Sequence, residues 1–192
     1  MRGRKVILYA GYIIVAALFA ISTMLLFFSR NKNEDGKPIK TIGALYMTMN
    51  NPYFEVINEE VKAVVESRGD VLETRDSAMD AKVQAKQVER FIKEKVDCIL
   101  INAVDWKNIG ASLEKAKKAG IPVIAVDTLV YNQRLVDGTV ISNNYEAGQQ
   151  CAQDLMKRRK SGKILFLVQS ENKSAIDRIK GFKETLEKAD WK

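Results

Sequence analysis

The chain has 192 residues, enough for one domain and part of another, with a formal net charge of +7 and no histidine. Residues 1–40 hold seven Lys/Arg against two Asp/Glu, while residues 41–192 hold 24 against 22, so the globular part is close to neutral and no nucleic-acid partner is indicated. The missing histidine excludes Ser-His and Cys-His nucleophile pairs and removes the commonest metal ligand.

At the amino terminus, Val6 to Phe28 is a run of 23 residues without a formal charge, preceded by Arg2, Arg4 and Lys5. A helix rising about 1.5 Å per residue over that length spans a bilayer core of about 30 Å. The basic cluster ahead of it predicts a cytoplasmic start and an extracytoplasmic remainder. No A-x-A site closes the run and no cysteine follows it to carry a lipid, so residues 1–28 read as a retained signal anchor in the cell membrane. Residues 29–40, polar with Gly36 and Pro38, read as a tether.

The globular part opens on Thr41–Phe54, TIGALYMTMNNPYF, where a short apolar strand gives way to a polar turn and then a helix. Asn51 suits the N-cap and Pro52 the first helical position, since proline has no amide to leave unpaired there. Further strand-like runs follow: VLET from 71, DCILIN from 97, PVIAVD from 122 and TVIS from 139. Between them, Phe54, Ile57, Val61, Val64 and Val65 share one helical face, as do Ala85, Val88, Phe91 and Ile92, and then Ile109, Leu113 and Ala116. Gly69 and Gly120 stand where helix C-terminal caps are wanted. Such alternation predicts a doubly wound α/β lobe with a parallel sheet over residues 41–142.

Residues 143–192 are expected to hold a helix from Tyr145 to Lys160 capped by Gly162, a sixth strand KILFLV, and a helix from Ala175 to Lys188, forming the crossing into an incomplete second lobe. The KRRK run at 157–160 complements a helix dipole and calls for no nucleic acid. Cys98 and Cys151 show no CxxC or metal-cluster spacing and read as two buried thiols, one in a strand and one in a helix.

In open α/β sheets ligands bind beyond the carboxyl ends of the strands. Reading those ends in order gives Asn51, Tyr53 and Phe54; Asp76 and Ser77; Asn102 and Asp105; Asp127 and Thr128; Ser142, Asn143 and Asn144; and Gln169 to Ser174. Some of these are turn formers and caps. The surplus supplies amides, carboxylates and aromatic faces, which together suit a small polar ligand with an apolar face, such as a sugar.

Five ordered segments, IGALYMTMNNPYFEVI, DCILINAVD, AKKAGIPVIAVDT, ISNNYEAGQ and SAIDRIKGF, together resemble the type I periplasmic sugar-binding proteins, the ribose-binding group most closely. The resemblance runs from Thr41 to the last residue. It implies a small-molecule sugar held between two lobes by Asn51, Tyr53, Phe54, Asn102, Asp127 and Arg178, with Thr128, Ser142 and Asn144 beside them. Ser142 and Asn143 match the first hinge crossing. Asp127 would accept from ring hydroxyls and Arg178 would donate from the second lobe. Thr128 stands where the family commonly has arginine, and Met47 where a small polar residue is frequent, which leaves the sugar's identity open. The family's second lobe needs roughly another hundred residues, about a domain's worth, so a truncated chain with weak binding or none is the expectation for the sequence as written.

The resemblance implies delivery to an ABC permease, without cofactor or metal. A retained anchor without lipid also fits a sensor that hands its liganded lobe to a membrane histidine kinase. Sugar-responsive repressors share the fold, yet need a helix-turn-helix where residues 1–40 carry a hydrophobic span. No nucleophile, base and oxyanion donors come together, so an enzyme is not expected.

Overall fold

A computed structural model describes residues 36–170 and 172–191, with the isolated positions 18, 19, 22 and 32. Apart from positions 18, 19 and 22, the predicted membrane span over 6–28 therefore lies outside the described residues, as does half of the tether. Among those described, no helix is long and apolar enough to cross a membrane.

Five parallel strands form the sheet: β1 (Thr41–Tyr46), β2 (Val71–Asp76), β3 (Cys98–Ile101), β4 (Val123–Val126) and β5 (Gly138–Val140), in the spatial order β2-β1-β3-β4-β5. Helices α1 (Pro52–Glu66), α2 (Ala81–Glu94) and α3 (Gly110–Lys118) connect the first four strands. The strand order reverses direction between β1 and β3, and at such a switch point the connecting loops diverge and leave a crevice at the carboxyl edge.

Local chemistry explains where the helices begin. Asn51 caps α1 by accepting from the Tyr53 amide at 3.0 Å, with Pro52 next in line. Asp80 caps α2, accepting from Lys82 and Val83. Gly69 and Gly120 both take left-handed φ just after their helices, as anticipated. At the opposite edge of the sheet, the carboxylates of Asp70, Asp97 and Asp137 accept the leading amides of Lys40, Thr41 and Val123.

The sheet buries two apolar clusters. One gathers Leu45, Ile99, Ile101 and Val123 from the strands with Val88, Phe91, Leu113 and Ala116 from α2 and α3. The other holds Ala44, Tyr46, Met47, Phe54 and Val104. Helix α2 approaches β1 so closely that a Cβ added at Gly43 would meet the Phe91 ring at 2.5 Å. One residue of the predicted α1 face departs from it: Val64 is exposed.

Burial pushes the Tyr46 phenol up to about 12, above the ordinary value of about 10. Since the folded state holds this proton more tightly, the stability it contributes is complete below about pH 10 and is lost as pH climbs through about 12. We expect an absorbance titration to show one phenol ionising together with alkaline unfolding, and Tyr46→Phe to remove that step.

Beyond the sheet, α4 (Asn144–Arg158) and α5 (Lys173–Lys188) lie against each other. Their contact is backbone on backbone: a Cβ at Gly148 would fall 2.0 Å from the Arg178 carbonyl oxygen, and one at Gly181 would fall 2.1 Å from that of Tyr145.

Three expectations are corrected here. Gly162 does not cap α4, which ends at Arg158 with Arg159 as its extended C-cap. KILFLV, residues 163–168, takes no regular secondary structure and is not a strand of any sheet among the described residues. Leu165 and Leu167 are consequently 85% and 90% exposed. Both cysteines are free, but Cys151 is exposed where a buried thiol was expected, while Cys98 is half-buried.

Candidate functional site

At the carboxyl edge of the sheet, a cavity of about 340 Å³ is lined by Asn51, Tyr53, Phe54 and Asp127 from the lobe and by Asn172, Ser174, Ala175 and Arg178 from the start of α5. Asp127 is the charged centre. It follows β4 directly and takes φ 65, the left-handed region that costs a side-chain-bearing residue roughly 1–2 kcal/mol. Its amide donates to Val140 at 2.8 Å and its carbonyl accepts from Ser174 Oγ at 2.8 Å, so β5 and α5 hold the turn from both sides. Non-glycine residues kept in such a conformation cluster at ligand clamps.

The carboxylate of Asp127 meets donors on each oxygen. Tyr53 Oη donates to Oδ1 at 3.2 Å, while Asn102 Nδ2 at 3.3 Å and Thr128 Oγ1 at 3.4 Å approach Oδ2. A carboxylate offers about four lone-pair sites, which leaves Oδ1 with room for a further hydroxyl. Burial raises the Tyr53 phenol above its ordinary value, and the neighbouring Asp127 charge raises it further, so the ring stays protonated and remains a donor at neutral pH.

Aromatic surface completes the lobe's wall. Tyr53 stands edge-on to Phe54 with centroids 5.3 Å apart, and Phe54 packs in turn on Tyr46 at 5.9 Å. Phe54 is buried and anchors the pair, whereas Tyr53 is half exposed and free to cover an apolar ring face. From α5, Arg178 donates through Nε to Asn144 Oδ1 at 2.7 Å, which aims its guanidinium across the crevice.

The structure therefore brings together Asn51, Tyr53, Phe54, Asp127 and Arg178 around one cavity. Asn102 is buried behind it and reaches the site through Asp127. Thr128 is fully buried, with its hydroxyl turned to the same carboxylate. Ser142, Asn143 and Asn144 line an adjoining cavity of about 320 Å³ at the crossing into α4, where Asn143 caps that helix by accepting from the Glu146 amide. Asp76 and Asp105 serve as local acceptors for the amides of Ala78, Lys107 and Asn108. Sequence reading placed Ser174 at the end of a sixth strand; its role on the Asp127 carbonyl comes from the N-terminal turn of α5 instead. Gln84 was missed, because a glutamine within a helix carries no local signal of its partners.

An open parallel sheet with a carboxylate, amides and stacked rings along its carboxyl edge, faced by helices beyond a crossing, is the architecture of one lobe of a two-lobed solute-binding protein. The model of the periplasmic binding protein domain matches residues 42–192, and the chain belongs to that family, in the type I sugar-binding group its motifs resemble. It is 30% identical over 125 residues to the ribose import binding protein of Bacillus subtilis (strain 168), covering 65% of this chain and 41% of that one. To the galactofuranose-binding protein YtfQ of Escherichia coli (strain K12) it is 32% identical over 137 residues, covering 67% of this chain and 42% of that one. A crystal structure of a galactofuranose binding protein superposes with a TM-score of 0.74 at 26% identity, covering 79% of this chain and 53% of the other. The chain thus spans about half or less of the length of these relatives. Members of the family are solute-binding proteins rather than enzymes.

Proposed function

We propose that this chain supplies the first lobe and the beginning of the second in an extracytoplasmic protein that binds a pentose or hexose between its lobes for uptake by an ABC importer. The observation that carries this reading is Asp127, held in a left-handed turn at the carboxyl end of β4 and lining, with Tyr53 and Arg178, the cavity at that edge of the sheet. Its carboxylate accepts from ring hydroxyls, Arg178 donates from beyond the crossing, and Tyr53 and Phe54 cover the apolar face of the ring. Closure about the crossing near Ser142 and Asn143 follows ligand capture. The names of the relatives, which include ribose and galactofuranose binders, support a monosaccharide in this place.

The uncharged run over 6–28 tethers the protein to the cell membrane with its binding lobe outside. That same run, with no cysteine after it for a lipid, favours a second reading in which the liganded lobe signals to a membrane histidine kinase. Calorimetry of the full-length gene product against a panel of pentoses and hexoses tests the first proposal: one or a few sugars bind saturably at a single site, and heat from none of them would overturn it. Loss of uptake without loss of a transcriptional response on deleting the gene separates import from sensing.

A further inference from the structure

We infer that Gln84, which touches neither the cavity nor any residue lining it, is a positioning residue for the binding site. The inference rests on the sugar-site reading above. Gln84 lies on the face of α2 that continues through Val88 and Phe91, a place where the helical period calls for an apolar side chain, and it is fully buried. A buried amide has to find partners, because an unpaired one costs about 1–3 kcal/mol.

Its partners all lie at strand ends. Nε2 donates to the Asn102 carbonyl at 3.0 Å and approaches Ser77 Oγ at 3.1 Å; Oε1 accepts from the Val104 amide at 3.0 Å. One side chain thus pairs the backbone on both sides of Ala103, where the chain leaves β3, and ties that segment to the residue following β2. The relay then continues through Asn102. Its Oδ1 accepts from the Met47 amide at 3.2 Å, just past β1, and its Nδ2 donates to the Val126 carbonyl at 3.2 Å and to Asp127 Oδ2 at 3.3 Å. Gln84 and Asn102 together link the carboxyl ends of four neighbouring strands, and the last atom of the relay is the carboxylate assigned to the sugar. With Gln84 in place the peptide at Asn102 cannot rotate, so the Asn102 amide keeps Asp127 Oδ1 turned toward the cavity.

Two substitutions test this. Gln84→Met keeps the volume and removes every hydrogen bond; Gln84→Glu keeps the shape and the acceptor for Val104 but cannot donate to Asn102 while ionised. We expect both full-length variants to unfold cooperatively and to bind the sugar roughly tenfold more weakly, the effect of about 1.4 kcal/mol. In a double-mutant cycle with Asp127→Asn, Gln84→Met should add little further loss, since its effect passes through that carboxylate. Without any sugar, NMR should show the Asn102 side-chain amide and the Asp127 carboxyl carbon shifted in Gln84→Met. Unchanged affinity in a folded variant, or strictly additive losses in the cycle, would overturn the positioning role. A wild-type protein that binds no sugar would overturn the sugar reading instead, while shifted Asn102 and Asp127 resonances would still support the relay.

Discussion

Replacing Asp127 with alanine is expected to abolish sugar binding by the full-length protein, with saturable heat disappearing from a calorimetric titration. The substitution acts in two ways. It deletes the charged acceptor, leaving the donors of Tyr53 and Asn102 without their partner, and hydrogen bonds to charged groups contribute about 1.5–3 kcal/mol each. It also puts alanine at φ 65, where asparagine and aspartate are better tolerated. Asp127→Asn separates the two effects, because it keeps the turn and an acceptor oxygen while removing the charge. Its affinity should fall by roughly tenfold to a hundredfold, in line with the lost charge assistance. Wild-type affinity in Asp127→Ala would remove this residue from the site.

Gly148→Ala should lower the thermal midpoint and weaken binding at the same time. The new methyl would stand 2.0 Å from the Arg178 carbonyl oxygen, a backbone atom that no rotamer change can move aside. Alanine improves helix propensity by about 1 kcal/mol, whereas overpacking costs about 1–3 kcal/mol, and the upper end applies where a backbone atom has to move. The clash decides the sign. A net loss of about 2 kcal/mol in a chain of this size lowers the midpoint by roughly 4–8 °C. Because α5 must move away from α4, the guanidinium of Arg178 moves with it, and sugar affinity should fall although residue 148 lines no part of the cavity. A circular-dichroism melt that matches wild type would show that the two backbones do not meet this closely.

Much of the lobe was legible in the sequence because it rests on local rules. Apolar runs became strands, with the buried residues in β1, β3 and β4 and the edge strands β2 and β5 left open to solvent; Asn51 and Pro52 started α1 as their chemistry requires, and Gly69 and Gly120 took the conformations that only glycine adopts freely. The parallel sheet followed from alternation of strand and helix, and with it the carboxyl edge that carries Tyr53 and Asp127, whereas the strand order, and so the switch point between β1 and β3, did not. What depended on distant partners was not legible. KILFLV has every property of a strand except a neighbour to pair with, and pairing is a property of the whole sheet. Cys151 sits on a helix whose packed face is set by two glycines, so its own apolar character did not place it inside. Thr128 and Gln84 show the same limit: each is a polar side chain whose buried bonds join segments far apart in sequence.

The irregular stretch at 163–168 has a practical consequence for anyone handling this polypeptide. A row of unpaired peptide groups flanked by Leu165, Leu167 and Val168 in water is an adhesive edge that a like strand from another molecule can zip onto. A preparation of these 192 residues alone is therefore expected to associate as it is concentrated, and a lysine at position 165 or 167 is the simplest way to blunt that.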